Sequence, residues 1–337
     1  MPIKPTKNTL FNDIKALIVE SKSKIYSAVN STMTTTYWNI GKRIVEEEQE
    51  GKERAEYGKS LLKNLSMELT KEFKRGYSVG NLENMRRFYL AYQKSETVSM
   101  KFKLSWSHYI FLTRITDKEE RKFYELEAIA ESLSVREIKR QFDSGLYQRL
   151  QLSLDKEKVK TLSKNGQIIE SVDDLIKDPY IFEFLDLPIH NSYSESELET
   201  ELIDKLEAFL LELGRGFTFV ARQKRITIDE EHFAVDLVFY NRFLRSFVII
   251  DLKIGKLKHQ DIGQMMMYVN HYDRVEKQED ENPTVGIILC RDKSKALVEM
   301  TLPKDNNQIY ASKYLTVLPD KEEFRKLLEA KSIEDGE

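Results

Sequence analysis

Two adjacent apolar runs constrain this chain more than anything else in it: Phe233-Ala-Val-Asp-Leu-Val-Phe-Tyr240 and Ser246-Phe-Val-Ile-Ile-Asp-Leu-Lys253. Each is short, rich in β-branched and aromatic residues, and separated from its neighbours by polar turns, so each reads as a buried strand. Each also carries a carboxylate, Asp236 in the first and Asp251 in the second. A buried carboxylate is costly unless it is paired or binds a metal. Asp251 and Lys253 are two residues apart, and a strand points such residues to one face. The chain must therefore build a sheet with a polar cluster at or near the ends of two neighbouring strands.

Around these runs the sequence divides in three. Residues 8–150 show helical periodicity. Helices are expected through Leu10–Ile18, through Thr36–Val45, after Gly58, after a Ser78 N-cap, and through Leu104–Leu112, Asp117–Glu131 and Ser134–Phe142. Ser134 and Glu137 have the spacing of a capping box. Residues 151–195 read as a connecting segment, with Asn165-Gly166, Pro179 and Pro188 as turn signals. Residues 196–330 predict one amphipathic helix over Glu197–Leu213, ended by Gly214. Strands follow at Phe217–Ile228, Phe233–Tyr240 and Phe247–Leu252, then a helix over Gln260–Tyr272. Further strands are expected at Thr284–Cys290 and Tyr314–Leu318, with a closing helix near Lys321–Ala330. The expected fold is α/β, a mixed sheet flanked by helices, behind a mainly α-helical N-terminal domain.

Two carboxylates and a lysine on neighbouring strands suit a divalent-metal phosphodiesterase. Phosphodiester hydrolysis needs a cation to offset charge in the transition state and to activate water. Mg²⁺, with Mn²⁺ as its substitute, takes oxygen ligands and usually only one or two carboxylates. Asp236, Asp251 and the backbone carbonyl of Leu252 can supply these ligands, and Lys253 can hold the attacking water or offset developing charge. The spacing alone leaves a plain buried salt bridge between Lys253 and an aspartate equally open. Gln264 and Tyr268 are four apart and share a helix face. Glu201 and Glu207 read as a solvated face, whereas Glu199, one turn before Leu202, can turn inward.

Helix with Glu199, strand with Asp236, Asp251-Leu-Lys253 and helix with Gln264-x-x-x-Tyr268 together resemble the PD-(D/E)xK nuclease superfamily, in its RecB-like branch. Longer strings resemble the YhcG-type family: Glu212–Arg225, Asp236–Asn241, His259–Tyr268, and in the N-terminal half Gly76–Tyr89, Leu104–Tyr109 and Ser134–Gln141. The superfamily motif is short, but these strings are specific and extend over nearly the whole chain. The resemblance implies an N-terminal helical domain joined to a restriction-endonuclease-like nuclease domain, and an endonuclease acting on DNA in bacterial defence or DNA processing. Asp236 and Asp251 then match the metal-binding acids, Lys253 the motif lysine, Glu199 the helix glutamate, and Gln264 with Tyr268 the supporting pair. Val235 stands where the motif has proline. An RNase with the same site, or a non-catalytic nucleic-acid-binding protein, is the alternative.

The formal net charge of −3 does not by itself favour a polyanion, so any basic surface must be local. Between Arg215 and Lys258 there are nine Lys/Arg against five Asp/Glu, and between Lys71 and Lys103 eight against three. Arg222, Arg225, Lys256 and Lys258 are candidate phosphate contacts near the metal site. Arg86 and Arg87, on a helix after Gly76, are candidates if the N-terminal half is a helix-turn-helix; dimerisation or partner binding by that half is the other reading. A duplex cut needs two sites or one acting twice, which a homodimer would provide. Trp106, His108 and Tyr109 read as packing residues, and Met265–Met267 likewise. The single Cys290 excludes a disulfide framework and, with no signal-peptide pattern or membrane span, fits the cytoplasm. No phosphate loop or zinc spacing is present.

Overall fold

The computed structural model describes residues 7–50, 55–93, 102–153, 156–187 and 193–318, together with Glu323 and Lys326. The expected closing helix at 321–330 lies outside these residues apart from Glu323 and Lys326, which are helical. The chain forms two compact units: residues up to Arg121 with Ala128–Val135, and Lys122–Glu127 with everything from Arg136 on.

The first unit is helical. The expected helices at Leu10–Ile18 and Thr36–Val45 are one continuous α1 (Lys7–Glu50). Only its C-terminal part packs. Thr34, Gly41, Ile44 and Val45 are buried there, while the described side chains from Leu10 to Asn30 are all exposed. Helix α2 (Ala55–Phe73) and helix α3 (Val79–Ala91) complete the packing through Ile44, Leu62, Leu82 and Met85. A Cβ at Gly41 would stand 2.1 Å from the Met85 carbonyl, so only glycine lets α1 and α3 approach this closely. Ser78 caps α3 by accepting the Asn81 N–H at 3.3 Å, as its position predicts. Helix α4 (Trp106–Leu112) closes the unit. Phe88 of α3 meets Tyr109, Phe102 and Trp106 at centroid distances of 4.9, 4.9 and 5.5 Å, so these aromatics are packing residues.

Helix α5 (Lys118–Ala130) begins a run of short helices, α6 (Val135–Asp143), α7 (Leu146–Ser153) and α8 (Lys156–Asn165). The segment expected to be a plain connection then supplies a strand, β1 (Tyr180–Ile181). The region expected to be one helix is two, α9 (Glu195–Asp204) and α10 (Leu206–Leu213). Lys205 breaks it at φ −110°, ψ 35°, its ammonium donating to the Leu185 carbonyl at 3.0 Å. Strands β2 (Phe217–Ile228), β3 (Glu231–Asn241) and β4 (Ser246–Lys256) follow, then α11 (His259–His271), β5 (Val285–Asp292), α12 (Lys295–Thr301) and β6 (Ile309–Leu315). Strand β6 lies earlier than the expected Tyr314–Leu318, because Ser312 and Lys313 interrupt its apolar pattern. Helix α12 has no buried residues, which is why hydrophobic periodicity did not announce it.

Among the described residues, six strands form one mixed sheet in the order β1-β6-β5-β4-β3-β2. Strands β2, β3 and β4 are antiparallel neighbours, and β4, β5, β6 and β1 run parallel. Leu237, Phe239, Ile250 and Leu252 pack with Leu198, Leu202 and Phe209 of α9 and α10. On the opposite face Val238, Ile249 and Ile288 pack with Ile262, Met265 and Tyr268 of α11. Burial on both faces explains the nearly unbroken apolar runs. Met265 fills the space left by Gly286, where a Cβ would stand 2.5 Å from its sulfur. The methionine run is packing.

Candidate active site

Strands β3 and β4 pair from Asn241↔Ser246 to Leu237↔Ile250 and then stop. Beyond Ile250 the edge of β4 facing β3 has no ladder partner, and here the polar residues gather. Asp236 fills the gap: its Oδ2 accepts the Leu252 N–H at 2.9 Å. In a strand a residue's N–H and C=O point to the same edge, so the Leu252 carbonyl also lies on the Asp236 side.

Asp251 is 2% exposed. Its Oδ2 stands 2.8 Å from Lys253 Nζ as an ion pair, yet has no hydrogen bond of good geometry. Burial pushes the Asp251 carboxyl up to about 7, against the pull of Lys253, with the Asp236 charge adding to the rise. Burial alone would lower the Lys253 ammonium, but Asp251, and Glu195 at 3.7 Å, hold it above its ordinary value.

Helix α9 brings Glu199 to the same end of the sheet, inward and 3% exposed. Glu201 and Glu207 lie on the wetter side of α9 and α10. Burial raises the Glu199 carboxyl, and the Asp236 charge raises it further. Its Oε1 lies 3.4 Å from Arg222 Nε without a well-formed hydrogen bond, and its Oε2 accepts from the Gln223 amide. The same amide nitrogen reaches Asp236 Oδ1 at 3.2 Å.

Gln223 is the residue that sequence reasoning missed. Its neighbours Arg222↔Leu237 and Lys224↔Val235 place it opposite Asp236, and its φ of +46° is one that a non-glycine residue rarely adopts. That turn of the backbone aims the amide between two carboxylates. A glutamine inside the basic run Arg222–Arg225 gives no sign of this; only the backbone does.

Helix α11 holds the cluster from its other side. Gln264 Nε2 donates to the Tyr268 hydroxyl at 2.6 Å, and the hydroxyl donates to the Ala234 carbonyl at 2.9 Å. The pair thus fixes the backbone of β3 two residues before Asp236. Burial raises the Tyr268 phenol, keeping it protonated as that donor.

The basic candidates separate. Arg222, Arg225, Lys256 and Lys258 are exposed, and Arg222 also faces Glu199. In the first unit, Arg86 is held by Glu48 of α1 at 2.6 Å, while Arg87, 3.9 Å from Glu83, is more open.

The donor set decides what cation this site suits. Among the described residues no three His, Cys, Asp or Glu side chains cluster closely enough to hold a metal ion alone. Two carboxylates, Asp236 and Asp251, and the Leu252 carbonyl on the Asp236 side suit a hard divalent cation that keeps several waters. They offer no imidazole or thiolate, the ligands on which zinc sites are usually built.

Comparison with known proteins identifies the family. Residues 173–329 match the family model described as the YhcG PDDEXK nuclease domain, and residues 13–149 match the DUF1016 N-terminal domain. YhcG of Escherichia coli (strain K12), which carries a provisional nuclease name, is 38% identical over 334 residues, covering 90% of this chain and 88% of that protein. Two solved structures show slight overlap. A repair endonuclease from Pyrococcus abyssi has 16% identity and a TM-score of 0.26, covering 37% of this chain and 49% of that one. An EndoMS–dsDNA complex has 14% identity and a TM-score of 0.27, covering 40% and 51%. The chain spans about half the length of each of these two. No helix among the described residues is long and apolar enough to cross a membrane.

Proposed function

The chain belongs to the YhcG family of PDDEXK nucleases, and on that premise we propose that it is a metal-dependent endonuclease hydrolysing phosphodiester bonds in DNA. The observation that carries this reading is the convergence of Asp236, Asp251 and the Leu252 carbonyl where the β3–β4 ladder ends, with Lys253 Nζ 2.8 Å from Asp251. Asp236, Asp251 and the Leu252 carbonyl would hold the cation, Mg²⁺ with Mn²⁺ as substitute. Once bound, it supplies Lewis acidity at the scissile phosphate and a more acidic water.

The chain's own residues supply the rest. Lys253 stays charged, and its ammonium orients the attacking water or offsets charge developing on the phosphate. Glu199 is the supporting carboxylate, and Gln223 sets its spacing from Asp236. Gln264 and Tyr268 hold the strand that carries Asp236. Arg222, Arg225, Lys256 and Lys258, all exposed, would bind backbone phosphates without reading sequence. Arg87 is the better-exposed candidate in the helical unit.

Cleavage of linear duplex, single-stranded and branched DNA, and of RNA, should be measured with Mg²⁺, Mn²⁺ or EDTA, beside Asp251→Asn. Metal-dependent cutting of DNA that falls about a hundred- to a thousandfold in the variant is expected. Cutting of RNA alone would reassign the substrate. Nucleic-acid binding with no cutting under any condition would replace the enzyme with a binding module.

A further inference from the structure

The N-terminal half of α1 is the largest feature that the nuclease reading leaves without a role. Leu10, Phe11, Ile14, Leu17, Ile18, Ile25 and Val29 are 47–66% exposed, and Met33 is 39% exposed. Monomeric proteins rarely show a contiguous apolar patch beyond a few hundred Å². These side chains present an area of the order of the roughly 800 Å² that each partner gives to a standard interface. The segment is also rich in Ile, Val, Ser and Thr, which favour helix weakly, so packing must hold it helical.

The pattern of the stripe names its partner. Phe11, Ile14, Ile18, Ile25, Val29 and Thr32 lie on one face, at spacings of three, four, seven, four and three residues, which read the same in both directions. The midpoint falls between Ser21 and Lys22. An antiparallel copy centred there puts Ile18 level with Ile25, Ile14 with Val29 and Phe11 with Thr32, while Leu10 and Met33 close each end. The same alignment sets Lys15 level with Ala28, Lys24 with Val19 and Asp13 with Asn30, so these charges do not meet their like; only the exposed Lys22 lies beside its own copy, at the centre. A self-complementary patch of this kind is what a two-fold interface requires.

We propose that Leu10–Met33 of α1 is a dimerisation helix that pairs antiparallel with the same segment of a second copy of this chain. The inference stands independently of the nuclease reading, since cleavage plays no part in it. Its test is the mass of the full chain in solution over a range of concentrations, beside the double variant Ile18→Glu with Ile25→Glu. A dimer whose mass halves in the variant, with the thermal transition of the α/β unit unchanged, is expected. A monomeric wild type, or a dimer that survives the double substitution, overturns the proposal. Orientation is tested by mixing Ile14→Cys and Val29→Cys chains under oxidation; the native Cys290 is buried. A disulfide linking position 14 to position 29 is expected, and links confined to like positions overturn the antiparallel arrangement.

Discussion

Two of the buried charges of the α/β unit are treated in opposite ways. At Glu212 of α10, one carboxylate accepts from Arg149 at 2.5 and 3.2 Å, from Arg140 at 3.5 Å and from the Ile181 N–H at 3.0 Å, while Lys177 donates to its backbone carbonyl. Burial would raise this carboxyl, but Arg149, Lys177 and Arg140 hold it below its ordinary value. Asp251 is as deeply buried, yet even with Lys253 2.8 Å away its carboxyl is pushed up to about 7. Burial of charge therefore does not mark a functional site. What separates the two is the balance of charge around each carboxylate: Arg149, Lys177 and Arg140 surround Glu212, whereas Asp251 has Lys253 on one side and the like charge of Asp236 on the other.

The largest effect expected from this contrast is in stability. Glu212→Gln should destabilise the unit by about 3–5 kcal/mol in urea unfolding, because it strands the buried Arg149. Asp251→Asn, equally buried, should leave stability unchanged or raise it by up to about 2 kcal/mol, as expected where function holds a strained group. Equal losses at both positions would erase the distinction.

A second difference is in the sign of the pH response, read by melting the chelated protein from acid to neutral pH. The folded-state pKa of Asp251 is raised, so its contribution is complete below the ordinary 3.8 and is lost as pH rises through about 7. That of Glu212 is lowered, so its contribution is complete above the ordinary 4.5 and is lost as pH falls through the depressed value. Asp251→Asn should shrink the neutral-side loss without touching the acid side, and Glu212→Gln should shrink the acid-side loss without touching the neutral side. The smallest effect is at Gln223: replacing it with alanine should weaken Mn²⁺ binding, followed by calorimetry, about tenfold. A change below about twofold would show that the amide does not organise the site.

What was legible in the sequence follows from the range of the interactions. Strands β2 to β4 and α11 announce themselves because two-sided burial writes apolar runs into contiguous residues. Asp236, Asp251 and Lys253 stand out against those runs as polar exceptions. Glu199 was separable from Glu201 and Glu207 only by its place one turn before Leu202. The Glu212–Arg149 pair left no trace, being 63 residues apart in the chain. Neither did Gln223, whose role depends on one backbone angle, nor β1, whose two residues are too few for any period.

That short strand has a consequence in time. Tyr180 pairs with Tyr314, whereas the β3–β4 hairpin carrying Asp236 and Asp251 closes over a few residues. Closing the longer loop costs more chain entropy, so during synthesis the hairpin can form soon after it emerges, while the far edge of the sheet must wait for β6. Until the ribosome has delivered that last strand, the outer edge of β5 has open hydrogen-bonding groups. The interval is when the growing chain is most exposed to aggregation and most in need of a chaperone.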